Sequence, residues 1–112
     1  MESRLPPEII ISCEHAGNKI PANYSHLFLN VDDVLSSHRG WDPGSLMLAT
    51  DMASHLNTPI FMFEISRLLI EINRSIGHRN LFSEFSSRLS QSEKTHLVNS
   101  FYLPYRTSIE EK

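Results

Sequence analysis

Two short, continuous apolar runs predict buried strands near the start and in the middle of the chain. The first, Glu8 to Cys13, follows two prolines and is rich in β-branched residues; the second is Ile60 to Phe63. Continuous rather than alternating apolarity is typical of a strand that is covered on both faces. A third apolar run, Ser66 to Asn73, alternates imperfectly, so it is predicted to be either a third strand or an extended arm.

Helical patterns lie between and after these runs. Apolar residues recur at i, i+3, i+4 and i+7 spacing on one predicted helix face, namely at Ala49, Met52, Ala53 and Leu56. Asp42 is expected to be the N-cap of this helix, with Pro43 at its first position, and Asn57 to Pro59 to end it. A short helix is also expected around Val31 to Ser36.

The last quarter of the chain predicts a second long helix. Ser90 and Glu93 have the spacing of a capping box, and apolar residues follow every four positions, at Leu97, Phe101, Tyr105 and Ile109. Pro104 is expected to kink this helix. No stop signal follows in the sequence, and a sheet of about three strands is small. We therefore expect residues 1–112 to be a single domain that is the amino-terminal part of a larger one, truncated at its carboxyl end.

The order strand, helix, strand predicts a βαβ-type unit and an α/β fold. Net charge is −3 and the ten Lys and Arg residues are scattered, which argues against nucleic-acid binding. The single cysteine, Cys13, excludes an internal disulfide and suits a reducing compartment. The first residues lack the pattern of a signal peptide and the apolar runs are too short to span a membrane, so a cytoplasmic location is expected.

The densest polar cluster follows the first predicted strand, where ligands bind in open α/β sheets. His15 in this cluster is either a metal ligand or a polar loop residue. Asp42 is either a functional carboxylate or a helix cap. Arg67 and Arg74 either form salt bridges or recognise a substrate carboxylate, which a guanidinium binds in bidentate geometry.

Four stretches, in order, resemble the N-formylglutamate amidohydrolase family. They are Ser12 to Asn18 with Ile20-Pro21, His38 to Gly44 with Leu48-Ala49, Ser66 to Ser75, and Tyr102 to Arg106. The resemblance implies a phosphorylase/hydrolase-like sheet flanked by helices. It also implies an enzyme that uses a metal, usually zinc, to hydrolyse N-formyl-L-glutamate or a related N-acyl amino acid.

The resemblance also assigns residues. His15 matches a metal-binding histidine, and Asn18 falls where related enzymes have a glutamate ligand. Asn18 is either a weaker, neutral ligand or orients water or substrate instead, with Asp42 or Glu14, the candidate catalytic residues, supplying the carboxylate; this choice stays open. Asn73 and Arg74 match a pair that grips the substrate carboxylate, with Arg67 as a second clamp. Glu71 stands where relatives often have Asp.

Two further expectations and two alternatives follow from the sequence. Because a catalytic zinc needs three protein ligands and family members are longer, the chain alone is expected to hydrolyse little or nothing. The alternatives are an inactive relative that keeps only the fold or ligand binding, and a cysteine hydrolase using Cys13, which the neighbouring Glu14 disfavours. An incomplete sheet would expose an edge and apolar surface, which favours self-association.

Overall fold

The computed structural model describes residues 9–110 and contains a two-stranded parallel sheet. Strand β1 is Ile11–Cys13 and strand β2 is Ile60–Met62, with Ile11 opposite Ile60. Both predicted strands are therefore confirmed, although each is shorter than its apolar run; Glu8 lies outside the described residues. An isolated parallel bridge between Lys19 and Ile65 continues the pairing beyond the strands. The prediction of an α/β fold is confirmed.

Three helical elements connect the two strands. A 3₁₀ helix spans Ala22–Phe28, helix α1 spans Asp32–Leu35, and helix α2 spans Ser45–Leu56 and packs on β1 and β2. Asn57 ends α2 in a left-handed conformation at φ 52°, as its position before Thr58-Pro59 suggested. The order strand, helix, parallel strand is the predicted βαβ-type unit.

The predicted cap of α2 is wrong. The residue before the helix is Gly44, which has φ 85° and therefore a conformation that glycine adopts without strain. No side chain caps the helix at this end. Asp42 accepts the Ser45 N–H through its backbone carbonyl, and its carboxylate is engaged elsewhere. The sequence pattern therefore located the start of the helix to within a few residues but assigned the Asp42 side chain the wrong role.

The third predicted strand is also absent from the described residues. Ser66 to Asn73 forms successive turns, with Leu69 N–H donating to Ser66 and Arg74 N–H donating to Glu71. Leu69 and Ile70 are completely buried. The apolarity of this run therefore reflects burial and not an extended strand. In a short run, hydrophobic periodicity alone does not distinguish a buried strand from another buried segment.

The chain ends in a helical run of three parts. Helix α3 is Gln91–Leu97, a π-helical segment spans Val98–Tyr102, and helix α4 is Leu103–Glu110. The capping box is confirmed, since Ser90 Oγ accepts the Glu93 N–H at 3.1 Å and the Glu93 carboxylate accepts the Ser90 N–H at 3.4 Å. The π segment lies directly before Pro104, whose ring has no N–H for the regular helical pattern.

The main core lies where the helical run packs on the Ser66 to Asn73 segment. Its buried members are Tyr24, Phe28, Phe63, Leu68, Leu69, Ile70, Ile72, Leu81, Leu97, Tyr102 and Tyr105. Tyr102 Oη donates to the carbonyl of Arg74 at 2.6 Å, which fixes the π-helical segment beside the end of that stretch. Within residues 9–110, no helix is both long and apolar enough to cross a membrane.

Candidate functional site

His15 lies in the turn that follows β1, with a carboxylate at each ring nitrogen. Its Nε2 is 2.7 Å from Glu71 Oε2, and its Nδ1 is 3.2 Å from Asp42 Oδ2. The side chain is 13% exposed. The backbone supports this arrangement, because the Asp42 N–H donates to the His15 carbonyl at 3.0 Å. The imidazole is therefore held in one orientation from both sides.

Hydrogen bonds hold both the backbone and the carboxylate of Glu71. Its N–H donates to the Leu81 carbonyl at 2.8 Å, and its Oε2 accepts the Asn73 N–H at 3.1 Å. Burial raises the pKa of Glu71, but the hydrogen bonds from His15 and Asn73 outweigh it and lower that pKa overall. The hydrogen bond to Glu71 in turn raises the pKa of His15 against the opposing effect of burial. These directions describe a carboxylate and an imidazolium that stabilise each other.

Asp42 links His15 to Arg67. The guanidinium of Arg67 donates to Asp42 Oδ1, while Oδ2 faces His15. The Arg67 Nε is buried and has no hydrogen-bond partner within residues 9–110. The result is a continuous chain of charged groups, in the order Arg67, Asp42, His15, Glu71. Asp42 thus contacts both His15 and Arg67.

Glu14 makes different contacts from its neighbour His15. Tyr105 Oη lies 3.2 Å both from Glu14 Oε2 and from the carbonyl of Phe61, so the hydroxyl can donate to either acceptor. Burial raises the pKa of Tyr105, and the negative charge of Glu14 raises it further. Tyr105 therefore stays a neutral donor, and it ties helix α4 to the end of β1.

The remaining predicted residues are spread around this centre. Asn18 Nδ2 donates to the Leu35 carbonyl at 2.9 Å, which anchors the loop after β1 to helix α1. Asn73 and Arg74 are both exposed, and Arg74 contributes its backbone carbonyl to Tyr102. The structure therefore brings His15, Asp42 and Arg67 into contact and places Glu14 and Asn73 beside them. Asn18 and Arg74 lie at the periphery.

Sequence reasoning missed the role of Glu71, which it noted only as a departure from Asp. The available signal was its position two residues before Asn73, within a stretch already singled out. The sequence could not show that Glu71 lies close to His15, because the two residues are 56 positions apart.

Cys13 lies close to this centre but in an apolar setting. It is buried with Ala16 and Ala49, and its thiol lies 3.3 Å from Ser45 Oγ. These contacts describe a small buried side chain.

Two clefts meet at the end of β1. One, of about 380 Å³, includes Glu14, His15 and Asp42 in its lining; the other, of about 350 Å³, includes Glu14, Asn73 and Arg106. Ser12 and Glu14 line both clefts. Glu14 therefore forms part of the wall between the His15 side and the Asn73 side.

The donor chemistry around His15 suits a metal ion only in part. Imidazole and carboxylate are zinc ligands, and both are present. However, residues 9–110 contain no group of three His, Cys, Asp or Glu side chains arranged to hold a metal ion. In this arrangement the carboxylates of Glu71 and Asp42 are instead hydrogen-bonded to the imidazole. The described residues thus do not fit a complete zinc site.

Comparisons with known proteins identify the relatives of the chain. Gene product Atu2144 from Agrobacterium tumefaciens, a solved crystal structure, superposes with a TM-score of 0.83 at 27% sequence identity. The match covers 94% of this chain and 45% of that one, so the chain spans less than half of the relative's length. No curated protein matches the chain. The family model of N-formylglutamate amidohydrolase matches residues 8–112. The chain therefore belongs to the N-formylglutamate amidohydrolase family.

Proposed function

We propose that this chain provides part of the active site of an amidohydrolase that acts on N-formyl-L-glutamate or a related N-acyl amino acid. The observation that carries the proposal is the His15 centre: an oriented imidazole between two carboxylates, at the end of a parallel strand, in a member of this family. The same proposal includes a phosphorylase/hydrolase-like sheet, of which β1 and β2 are two strands.

The proposed reaction is hydrolysis of an amide bond. Water adds to the acyl carbon, the bond between carbon and nitrogen breaks, and the nitrogen takes up a proton. With N-formyl-L-glutamate the products are formate and glutamate. Such a reaction needs a group that removes a proton from water and one that delivers a proton to the leaving nitrogen. Glu14 and Asp42 are the carboxylates proposed for these two tasks.

Glu14 is the better placed of the two for the leaving nitrogen. It lines both clefts, so a ligand that spans them passes next to it. Asp42 is then the carboxylate proposed to take the proton from water, and its bonds to Arg67 and His15 also position the imidazole. Glu71 shares this positioning task through the 2.7 Å contact at Nε2.

Zinc is the metal proposed for this site, with His15 as its ligand; a bound zinc would polarise the acyl oxygen and lower the pKa of water. Asn18 is the second donor proposed from the resemblance, through its Oδ1, since its Nδ2 is bound to Leu35. Binding would require Glu71 or Asp42 to exchange its bond to the imidazole for the metal. On the substrate side, Arg67, Asn73 and Arg74 are the residues proposed to hold a carboxylate.

A second candidate function is binding of the amino-acid ligand without hydrolysis. The observation that favours it is the incomplete set of metal ligands in residues 9–110. The exposed Asn73 and the cleft beside it would then be the parts that matter.

Zinc stoichiometry, formate release and ligand binding, measured together, test both candidates. The chain is assayed with added zinc and N-formyl-L-glutamate, beside His15→Ala and the exposed His26→Ala as matched control. Zinc binding that is lost only in His15→Ala supports the hydrolase, and formate release lost in the same variant would strengthen that support. Ligand binding without zinc binding supports the second candidate, and a chain that binds neither zinc nor the ligand overturns both.

A further inference from the structure

We propose that Arg106, together with Asn73, binds the carboxylate of the amino-acid ligand in the cleft on the far side of Glu14 from His15. The inference rests on the proposed function and assigns a substrate-binding residue that the resemblance did not supply. It adds a cation on helix α4 to the residues already proposed to hold a carboxylate.

The guanidinium of Arg106 is held in place before any ligand arrives. Its Nη1 donates to the Ile72 carbonyl at 3.1 Å, and its central carbon lies 5.6 Å from the centroid of the Tyr102 ring. Tyr102 is itself buried and bonded to the Arg74 carbonyl. A guanidinium has five N–H donors, and within residues 9–110 only one bond to an acceptor uses them. The others are free to meet a carboxylate, the group that a guanidinium binds in bidentate geometry.

The cleft combines opposite charges in a way that selects for amino-acid chemistry. Its lining is Ser12, Glu14, Ile72, Asn73, Arg106, Ile109 and Glu110. Arg106 is the one cation in this lining, and it faces two carboxylates, Glu14 and Glu110. A ligand that offers a carboxylate to Arg106 and an N–H to Glu14 interacts favourably with both of these residues.

An N-acyl amino acid carries both of these groups on its α-carbon. Its α-carboxylate is one carbon away from its amide nitrogen, and hydrolysis converts that nitrogen into an ammonium. With the carboxylate at Arg106 and Asn73, the nitrogen is directed toward Glu14 and the acyl group toward the cleft that contains His15. The shared wall at Glu14 thus becomes the point where the bond is broken.

Arg74 is less suited to this task in the described structure. It is exposed, and it lines neither of the two clefts that meet at Glu14. Its backbone carbonyl accepts the Tyr102 hydroxyl, which supports the aromatic ring against which Arg106 lies. Asn73 and Arg74 are adjacent in sequence, but only Asn73 lines the cleft.

The test is to titrate the chain with N-formyl-L-glutamate and with L-glutamate, following two-dimensional amide NMR spectra. Arg106→Gln is compared with Arg74→Gln, which represents the rival assignment, and with the exposed Arg88→Gln as control. We expect Arg106→Gln to weaken binding about tenfold or more, because a charge-assisted bond is lost, and Arg106→Lys to recover part of it. Arg88→Gln should stay within about twofold of the parent, and Arg74→Gln should weaken binding less than Arg106→Gln does.

A second variant guards against loss of folding in Arg106→Gln. Asn73 is exposed, so Asn73→Asp keeps the fold but adds a third carboxylate to the cleft, and it should weaken binding of both ligands. Weakening by Arg74→Gln with no effect of Arg106→Gln or Asn73→Asp would overturn the inference while leaving the proposed function intact. Absence of binding of either ligand to the parent chain would also overturn it, and zinc binding by the parent chain beside His15→Ala would then judge the proposed function separately.

Discussion

The imidazole Nε2 of His15 lies 2.7 Å from the carboxylate Oε2 of Glu71, although the two residues are 56 positions apart. The contact exists because β1 and β2 are parallel and the bridge between Lys19 and Ile65 keeps their continuations together. His15 follows β1, and Glu71 ends the buried turns that follow β2. Side chains that follow two neighbouring parallel strands meet at the same edge, and this is where the candidate site has formed.

Replacing Glu71 by Gln should change how stability depends on pH. The pKa of His15 is raised from 6.5, so its contribution is complete below pH 6.5 and is lost as pH rises through the folded pKa. The pKa of Glu71 is lowered from 4.5, so its contribution is complete above pH 4.5 and is lost as pH falls through the folded pKa. In metal-free protein, Glu71→Gln should therefore lower the free energy of unfolding by about 1–3 kcal/mol between these pH values and by less at pH 8.

Glu64→Gln is the matched control for that measurement. Glu64 also pairs with a cation, Lys19 at 2.7 Å, but the Lys19 side chain is 69% exposed. Exposed pairs contribute little, so urea unfolding across the same pH series should show a change below about 1 kcal/mol without a maximum near pH 5.5. Equal pH profiles for the two variants would contradict the coupling of His15 to Glu71.

Gly40→Ala should destabilise the fold strongly for a single methyl group. A Cβ at this position would overlap the carbonyl oxygen of Leu35, which is backbone and cannot rotate away. The carbonyl of Gly40 also accepts the buried Ser66 hydroxyl at 2.9 Å. We expect a loss of about 1–3 kcal/mol in urea unfolding, against little change for the exposed Ser54→Ala. A Gly40→Ala variant as stable as the parent would show that Leu35 does not approach this closely.

Ser90→Ala should weaken the start of the carboxyl-terminal helical run. Ser90 Oγ accepts the N–H of Glu93 at 3.1 Å, and the loss of such a cap typically costs about 1 kcal/mol. Thermal unfolding followed by circular dichroism measures the effect. Ser87→Ala, an exposed serine in the preceding turn, is the control and should leave the melting temperature nearly unchanged. Similar melting temperatures for all three proteins would argue against the capping box.

The outer face of α2 should promote self-association. Met47 is 79% exposed and Leu48 62% exposed, and within residues 9–110 β1 pairs with a strand only on the side of β2. Apolar surface beside an unpaired strand edge favours association. We expect sedimentation velocity to show concentration-dependent association that Met47→Lys reduces. Ile76→Lys, which removes an exposed apolar side chain far along the chain, should leave it unchanged. A monomer at all concentrations would contradict this expectation.

The sequence by itself determined the local elements of this protein. The two apolar runs became β1 and β2, Asn57 ended α2, and Ser90 with Glu93 formed the capping box. These features depend on residues within a few positions of one another, so their signals are contained in a short window. The family resemblance likewise came from the local stretches around His15, Asp42 and Asn73, and the match to residues 8–112 confirmed it.

Only the tertiary structure decided what the polar side chains do. Aspartate is a residue type that commonly caps helices, but the carboxylate of Asp42 binds Arg67 and His15 instead. The run from Ser66 to Asn73 has the apolarity of a strand, but burial against the helical run folds it into turns. The proximity of Glu71 to His15, and of Arg106 to Asn73, arises from the packing of elements far apart in the chain. Such contacts depend on how elements pack in three dimensions, which no local pattern of residues encodes.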